Sequence, residues 1–270
     1  MTSERDCIEC GAGTSCPVGS ANATACSPGF YNPLERQAAC TRCEAGKYQN
    51  ASGAIDCWPC ESGHFCQEGA SAPLPCPAGT HQDPTLTMTS DIQCITCDAG
   101  SFCPTGAEQP TNCSAGTYSS APRQPVCVKC SAGRYQDIEG ATACRDCDTG
   151  SYCKEGASAP LPCPAGRHQD LALTISMTSD AQCVSCTAGA FCPTGAAAPT
   201  NCSAGTYSST TQQSECAKCD AGLYQDSEGA TACRECDSGN FCTPGASTPL
   251  PCPGKKYGAA YVNSHFGLAV

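Results

Sequence analysis

Thirty cysteines fall in one fixed register along 270 residues, and that register constrains the chain more than any other feature. From Cys7 the spacing runs C-x2-C-x5-C-x9-C-x13-C-x2-C-x13-C-x2-C-x5-C-x9-C. The pattern restarts at Cys94 after a gap of 17 residues and at Cys183 after a gap of 19. Ten cysteines therefore make one large unit, and three units, 7–93, 94–182 and 183–270, account for all thirty. Each unit divides into a long and a short half: 7–56 and 57–93, 94–143 and 144–182, 183–232 and 233–270.

The side chains repeat with the cysteines. CSAGRYQDIEGATACRDCDTGSYCKEGASAPLPCP from Cys130 recurs as CDAGLYQDSEGATACRECDSGNFCTPGASTPLPCP from Cys219. FCPTGA followed by PTNCSAGTYSS occurs at Phe102 and again at Phe191. Such near-identity is expected of a quasi-one-dimensional stack in which each module contacts only its neighbours.

An ordinary hydrophobic core is not available. Leu, Ile, Val and Phe together number 27, about 10% of the chain, roughly half the fraction below which apolar side chains fail to drive folding. With 27 Gly and 21 Pro added, the uncrosslinked chain should be disordered. Order must come from bridges or bound metal. C-x2-C pairs occur in zinc ribbons, but thirty thiols would need about seven zinc ions at four ligands each. The four histidines, His64, His81, His168 and His265, never stand at a ligand spacing. Disulfides are the expectation, and at this density they require an oxidising compartment. MTSERDCIEC contains no apolar leader segment, so the expectation is a truncated N-terminus or an incomplete gene model. No stretch approaches the roughly 18 apolar residues of a membrane span.

Within a module, C-x-A-G-x-Y-Q places Gly where a turn needs a permissive backbone. The Tyr opens a short extended run, and E-G-A-T or a Ser-rich phrase turns the chain back. G-A-S-x-P-L-P-C-P reads as an extended connector. No 3.6-residue periodicity persists. The predicted fold class is small and disulfide-rich: an elongated rod or solenoid of tandem cysteine-rich modules, with short β-hairpins and almost no helix.

Spacing alone does not fix connectivity. A sequential scheme assigns the two members of each C-x2-C to different loops. It pairs Cys10–Cys16, Cys26–Cys40, Cys43–Cys57, Cys60–Cys66, Cys76–Cys94, Cys97–Cys103 and Cys113–Cys127. It continues with Cys130–Cys144, Cys147–Cys153, Cys163–Cys183, Cys186–Cys192, Cys202–Cys216, Cys219–Cys233 and Cys236–Cys242. Each 13-residue loop so closed removes roughly 3 kcal/mol of denatured-state entropy. An interleaved scheme, first to third and second to fourth, competes with it. The sequential scheme leaves Cys7, in the register of a loop closer, and Cys252, in that of a loop opener. Two expectations follow: Cys252 bonds Cys7 of another chain, head to tail, or the sequence is cut from a longer repeat array. The tail from Pro253 departs from the pattern.

The phrases CDAGSFCPTGA…PTNCSAGTYS and C-x-A-G-x-Y-Q…G-A-T-x-C-x-x-C resemble the ephrin-receptor-like cysteine-rich repeats over essentially residues 7–253. The family is distantly similar to tumour-necrosis-factor-receptor and furin-like cysteine-rich modules. The resemblance implies an elongated extracellular rod of small disulfide modules used for structure, adhesion or ligand contact. It also implies bridges closing the loops Cys43–Cys57, Cys130–Cys144 and Cys219–Cys233.

No catalytic constellation is present and no enzyme activity is expected. No cofactor is expected either; the pairs Asp137/Glu139 and Asp226/Glu228 offer at most weak calcium ligands, without the dense ligand run of an EF-hand. The net charge of −11 is scattered, with no basic patch for nucleic acid or anionic membrane. N-glycosylation sequons stand at Asn22, Asn50, Asn112 and Asn201, the last two as N-C-S, and the Ser/Thr-rich loop Tyr207–Gln213 could take O-glycans. Trp58, alone of its kind, sits in C-W-P-C and is expected to pack on a disulfide. The leading functional reading is an extracellular or cell-surface structural protein, a subunit of a filament, appendage, coat or matrix partnered with itself. A receptor or adhesion ectodomain that binds another extracellular protein competes with it, and a protist surface antigen is a third class.

Overall fold

A computed structural model describes residues 7–173 and 176–254. The tail from Lys255, with His265, lies outside them, as do Met1–Asp6. Two compact units are distinguished: Met1–Lys129 with Gln136–Cys144, and Cys130–Tyr135 with Arg145–Val270.

Both units are built from the same element, an antiparallel hairpin whose strands are mostly two residues long. In the first unit Phe30–Tyr31 pairs with Thr41–Arg42, Lys47–Tyr48 with Trp58–Pro59, and His64–Phe65 with Leu74–Pro75. In the second, Ser151–Tyr152 pairs with Leu161–Pro162 and Leu223–Tyr224 with Arg234–Glu235. Every sheet among the described residues is two-stranded and joins consecutive strands. The only helical segments among the described residues are the 3-10 turns Asp91–Gln93 and Asp180–Gln182. The expected architecture of short hairpins with almost no helix is the one observed.

Local sequence explains the hairpin. In C-S-P-G-F-Y the Phe30 N–H bonds the Ser27 carbonyl at 3.0 Å, and Gly29 at the third turn position has φ +86°. That is a type II turn, which demands a left-handed residue there. The hairpin then closes through the Cys43 N–H, which donates to the Gly29 carbonyl at 2.9 Å.

Each hairpin is tied to the next by the same backbone bond. In the first unit Gly13, Gly29, Gly46, Gly79, Gly100 and Gly116 donate their N–H groups to Asn32, Gln49, Cys66, Cys103, Ser119 and Gln136 carbonyls, at 2.7–2.9 Å. In the second unit Gly133, Gly166, Gly189, Gly205 and Gly222 do the same, to Cys153, Cys192, Ser208, Gln225 and Cys242. Where the long gap intervenes, a side chain substitutes for the carbonyl. Gly63 donates to the Gln82 amide oxygen at 2.6 Å and Gly150 to that of Gln169 at 2.9 Å.

The core is covalent. Of the 27 buried apolar residues among those described, 18 are Cys, so apolar side chains supply only a minor share of the interior. Bridges of two kinds recur. Short ones span six positions, as in Cys10–Cys16, Cys60–Cys66, Cys97–Cys103, Cys147–Cys153, Cys186–Cys192 and Cys236–Cys242. Cys26–Cys40, Cys43–Cys57, Cys113–Cys127, Cys202–Cys216 and Cys219–Cys233 span 14. Cys76–Cys94 and Cys163–Cys183 span 18 and 20. Cys130 and Cys144 are also disulfide-bonded.

Two side-chain anchors supplement the bridges. Met88, 3% exposed, packs with Phe65, Cys76 and Cys94, and Met177, 1% exposed, with Tyr152, Cys163 and Cys183. In each case the long loop folds its Met back onto the preceding hairpin, and the Met carbonyl receives the N–H of Cys66 or Cys153.

Candidate functional site

The residues singled out by sequence fall on the outer surface of the hairpins, because the inner surface is filled by half-cystines. The second strand of nearly every hairpin is exposed at both positions, whereas the first strand is half-buried.

The four sequon asparagines are all exposed, but they differ in setting. Asn22 precedes the strand Thr24–Ala25, and Asn50 stands in the loop closed by Cys43–Cys57. Asn112 and Asn201 lie within strands, cross-strand from Ser101 and Ala190. The carboxamide of Asn112 lies over Gly140, its Cγ 3.6 Å from where a β-carbon there would stand. Asn201 covers Gly229 in the same way. The cysteine inside each N-C-S sequon, Cys113 or Cys202, is fully buried in its bridge.

A buried amide cinches each second 13-residue loop. Gln49 Nε2 donates to the Asp56 carbonyl at 2.8 Å while its Oε1 accepts from Ala51 N–H at 2.9 Å. Gln225 repeats this with the Ala232 carbonyl, 2.7 Å, and Ser227 N–H, 3.0 Å. These glutamines are 3% and 5% exposed. By sequence, Y-Q marks only the start of a strand; the recurrence of Gln directly after Tyr is the signal for a loop clamp.

Of the carboxylates considered for calcium, Asp226 has protein partners: it meets Arg234 at 3.1 Å and accepts from the Ser227 hydroxyl at 2.9 Å. Asp137, Glu139 and Glu228 are exposed. His64, His81 and His168 each direct Nδ1 at a nearby backbone carbonyl, those of Ser62, Gln82 and Gln169. Among the described residues no group of three or more His, Cys, Asp or Glu is placed to hold a metal ion.

Trp58 is 47% exposed. Its neighbour is Tyr48, its cross-strand partner, with ring centroids 5.8 Å apart and planes at 78°. The side chain stands on the exposed second strand and makes this edge-to-face pair. Tyr48 itself is buried and donates its hydroxyl to Glu61 at 3.2 Å. Burial first, then that hydrogen bond and the Glu61 charge, raise the Tyr48 pKa above its ordinary value.

Cys7 and Cys252 carry free thiols, the first exposed and the second half-buried. Cys7 opens on a cleft shared with Cys16, Pro17 and Asn22.

Residues 205–252 match the family model described as tyrosine-protein kinase ephrin type A/B receptor-like. That stretch contains most of the phrase from Cys219 whose near-copy begins at Cys130. No curated protein matches the chain. With 28 cysteines in bridges, it is an extracellular or secreted domain. No helix among the described residues is long and apolar enough to cross a membrane.

Proposed function

We propose that the chain is a structural repeat protein of the cell exterior, a subunit of a surface filament, appendage, coat or matrix, without enzymatic activity or a required cofactor. The observation that carries this reading is the recurrence of the hairpin-to-hairpin bond: a glycine N–H donates to the following hairpin, to a backbone carbonyl or, at the long gaps, to a glutamine amide oxygen. A recognition module singles out some loops for a partner; here the copies from Cys130 and Cys219 keep most of their side chains. Cys7, in the register of a loop closer, is proposed to bond an opener cysteine of another repeat, such as Cys252 of a second chain.

Electrophoresis of the secreted protein with and without reductant tests this. Disulfide-linked multimers that collapse to one band on reduction, and that are lost in Cys252→Ser, support head-to-tail linkage. A single monomer band under both conditions contradicts it. Negative-stain images separate a filament from discrete particles. The family match supports a second reading, an ectodomain that binds an extracellular protein, and monodisperse particles would favour it.

A further inference from the structure

Among the differences between the Cys43–Cys57 hairpin and its counterpart at Cys219–Cys233, two are linked. In the latter, Asp226 follows the clamp glutamine and Arg234 follows the closing cysteine, and the two form an ion pair at 3.1 Å. The same two backbone positions in the first unit hold Asn50 and Trp58. Both loops share their scaffold: a bridge spanning 14 positions, the buried glutamine clamp and the same hairpin register. Position 50 is therefore within side-chain reach of position 58.

The replacement is chemically specific. An aspartate–arginine pair has become a sequon asparagine and an exposed indole. Asn50, Ala51 and Ser52 are all exposed, and the sequon lies in a turn rather than in a strand, unlike Asn112 and Asn201. Trp58 is held from one side by Tyr48 yet remains 47% exposed, so part of its indole stays open beside the sequon.

We propose that Asn50 carries an N-linked glycan whose innermost sugar packs its apolar C–H face on the indole of Trp58. In the transfer, the Asn50 carboxamide nitrogen displaces the diphosphate from the anomeric carbon of a polyprenyl-diphosphate-linked oligosaccharide. A C–N bond forms, a C–O bond breaks, polyprenyl diphosphate leaves and the amide proton passes to a base. The oxidising secretory compartment that closes the bridges is where such donors act. The glycan shields an apolar patch and restores across the loop the contact that Asp226 and Arg234 make by charge.

The test uses the full chain secreted behind a leader from a eukaryotic host. Glycopeptide mapping should find Asn50 occupied. Because the chain has a single Trp, its emission reports this site alone. Ser52→Ala, which destroys the sequon and keeps Asn50, should shift the emission to the red. Enzymatic trimming of the wild type to its first sugar should leave the emission unchanged. Trp58→Arg should keep Asn50 occupied and speed enzymatic removal of the glycan several-fold. Asn50 found unmodified overturns the proposal. So does emission identical in wild type and Ser52→Ala, or removal no faster in Trp58→Arg.

Discussion

Gly29 stands so close to Gly69 that a β-carbon added to it would lie 2.2 Å from the Gly69 carbonyl oxygen. The carbonyl of one loop is seated in the space where the preceding turn has no side chain. Gly13 with Gly53, Gly63 with Gly106, Gly150 with Gly195 and Gly205 with Gly245 repeat the arrangement within their units.

Gly29→Ala should therefore cost more than its left-handed backbone alone. At φ +86° that strain is worth about 1–2 kcal/mol, and displacing the Gly69 carbonyl adds about 1–3 kcal/mol. Gly222→Ala is the control, with φ +85° and nothing within 4 Å of the added carbon. Denaturant unfolding with bridges intact should show Gly29→Ala clearly the less stable. Equal losses would mean that close approach contributes nothing.

Gln225→Ala should cost about 1–3 kcal/mol, since it leaves the Ala232 carbonyl and the Ser227 N–H without their buried partner. Hydrogen exchange should accelerate at Ser227 and not in distant hairpins.

Met177→Ala should remove about 2–5 kcal/mol, because its side chain is 1% exposed and fills the space between Tyr152 and the Cys163–Cys183 bridge. The measurement is exchange of the Cys153 N–H, which bonds the Met177 carbonyl at 3.0 Å. Protection unchanged from wild type would show that the loop is held by its bridge alone.

Much of the hairpin module is legible in the amino-acid sequence. C-x-x-G-x-Y encodes a type II turn and a strand start through local chemistry, and the lack of helical periodicity excludes helix. Contacts between neighbouring modules are what escape. Nothing local in G-T-H-Q announces that Gln82 replaces a backbone carbonyl for Gly63. Nor does M-T-S-D announce a buried Met88, because one apolar residue in a polar loop has no period. Arg36, Arg123 and Gln212 adopt left-handed backbone at φ 63–64° where equivalent loops use Gly53, Gly140 and Gly229. Only alignment of the loops by their closing cysteines exposes that equivalence. The observed disulfides follow the sequential scheme, which spacing alone does not fix. The edge-to-face pair of Trp58 with Tyr48 is a cross-strand relation that C-W-P-C does not announce.

Tyr48 should ionise above the ordinary tyrosine value, for the causes given above. A raised pKa favours the neutral form in the fold, so the associated stability is present below the ordinary tyrosine value and is lost as pH rises through the folded value. Glu61→Gln should lower the Tyr48 pKa towards the ordinary value while burial keeps it raised. Ultraviolet titration of the phenolate resolves this; no change in Glu61→Gln would remove Glu61 from the account.

Covalent loops take the place of an apolar core in this chain. Backbone hydrogen exchange of the secreted chain, before and after full reduction and alkylation, tests it most directly. The account predicts that protection of Gly29, Gly46, Gly189 and Gly205 N–H groups, each bonded to the next hairpin, vanishes throughout on reduction and is indifferent to a metal chelator. Protection that survives reduction, or that a chelator abolishes, would contradict it.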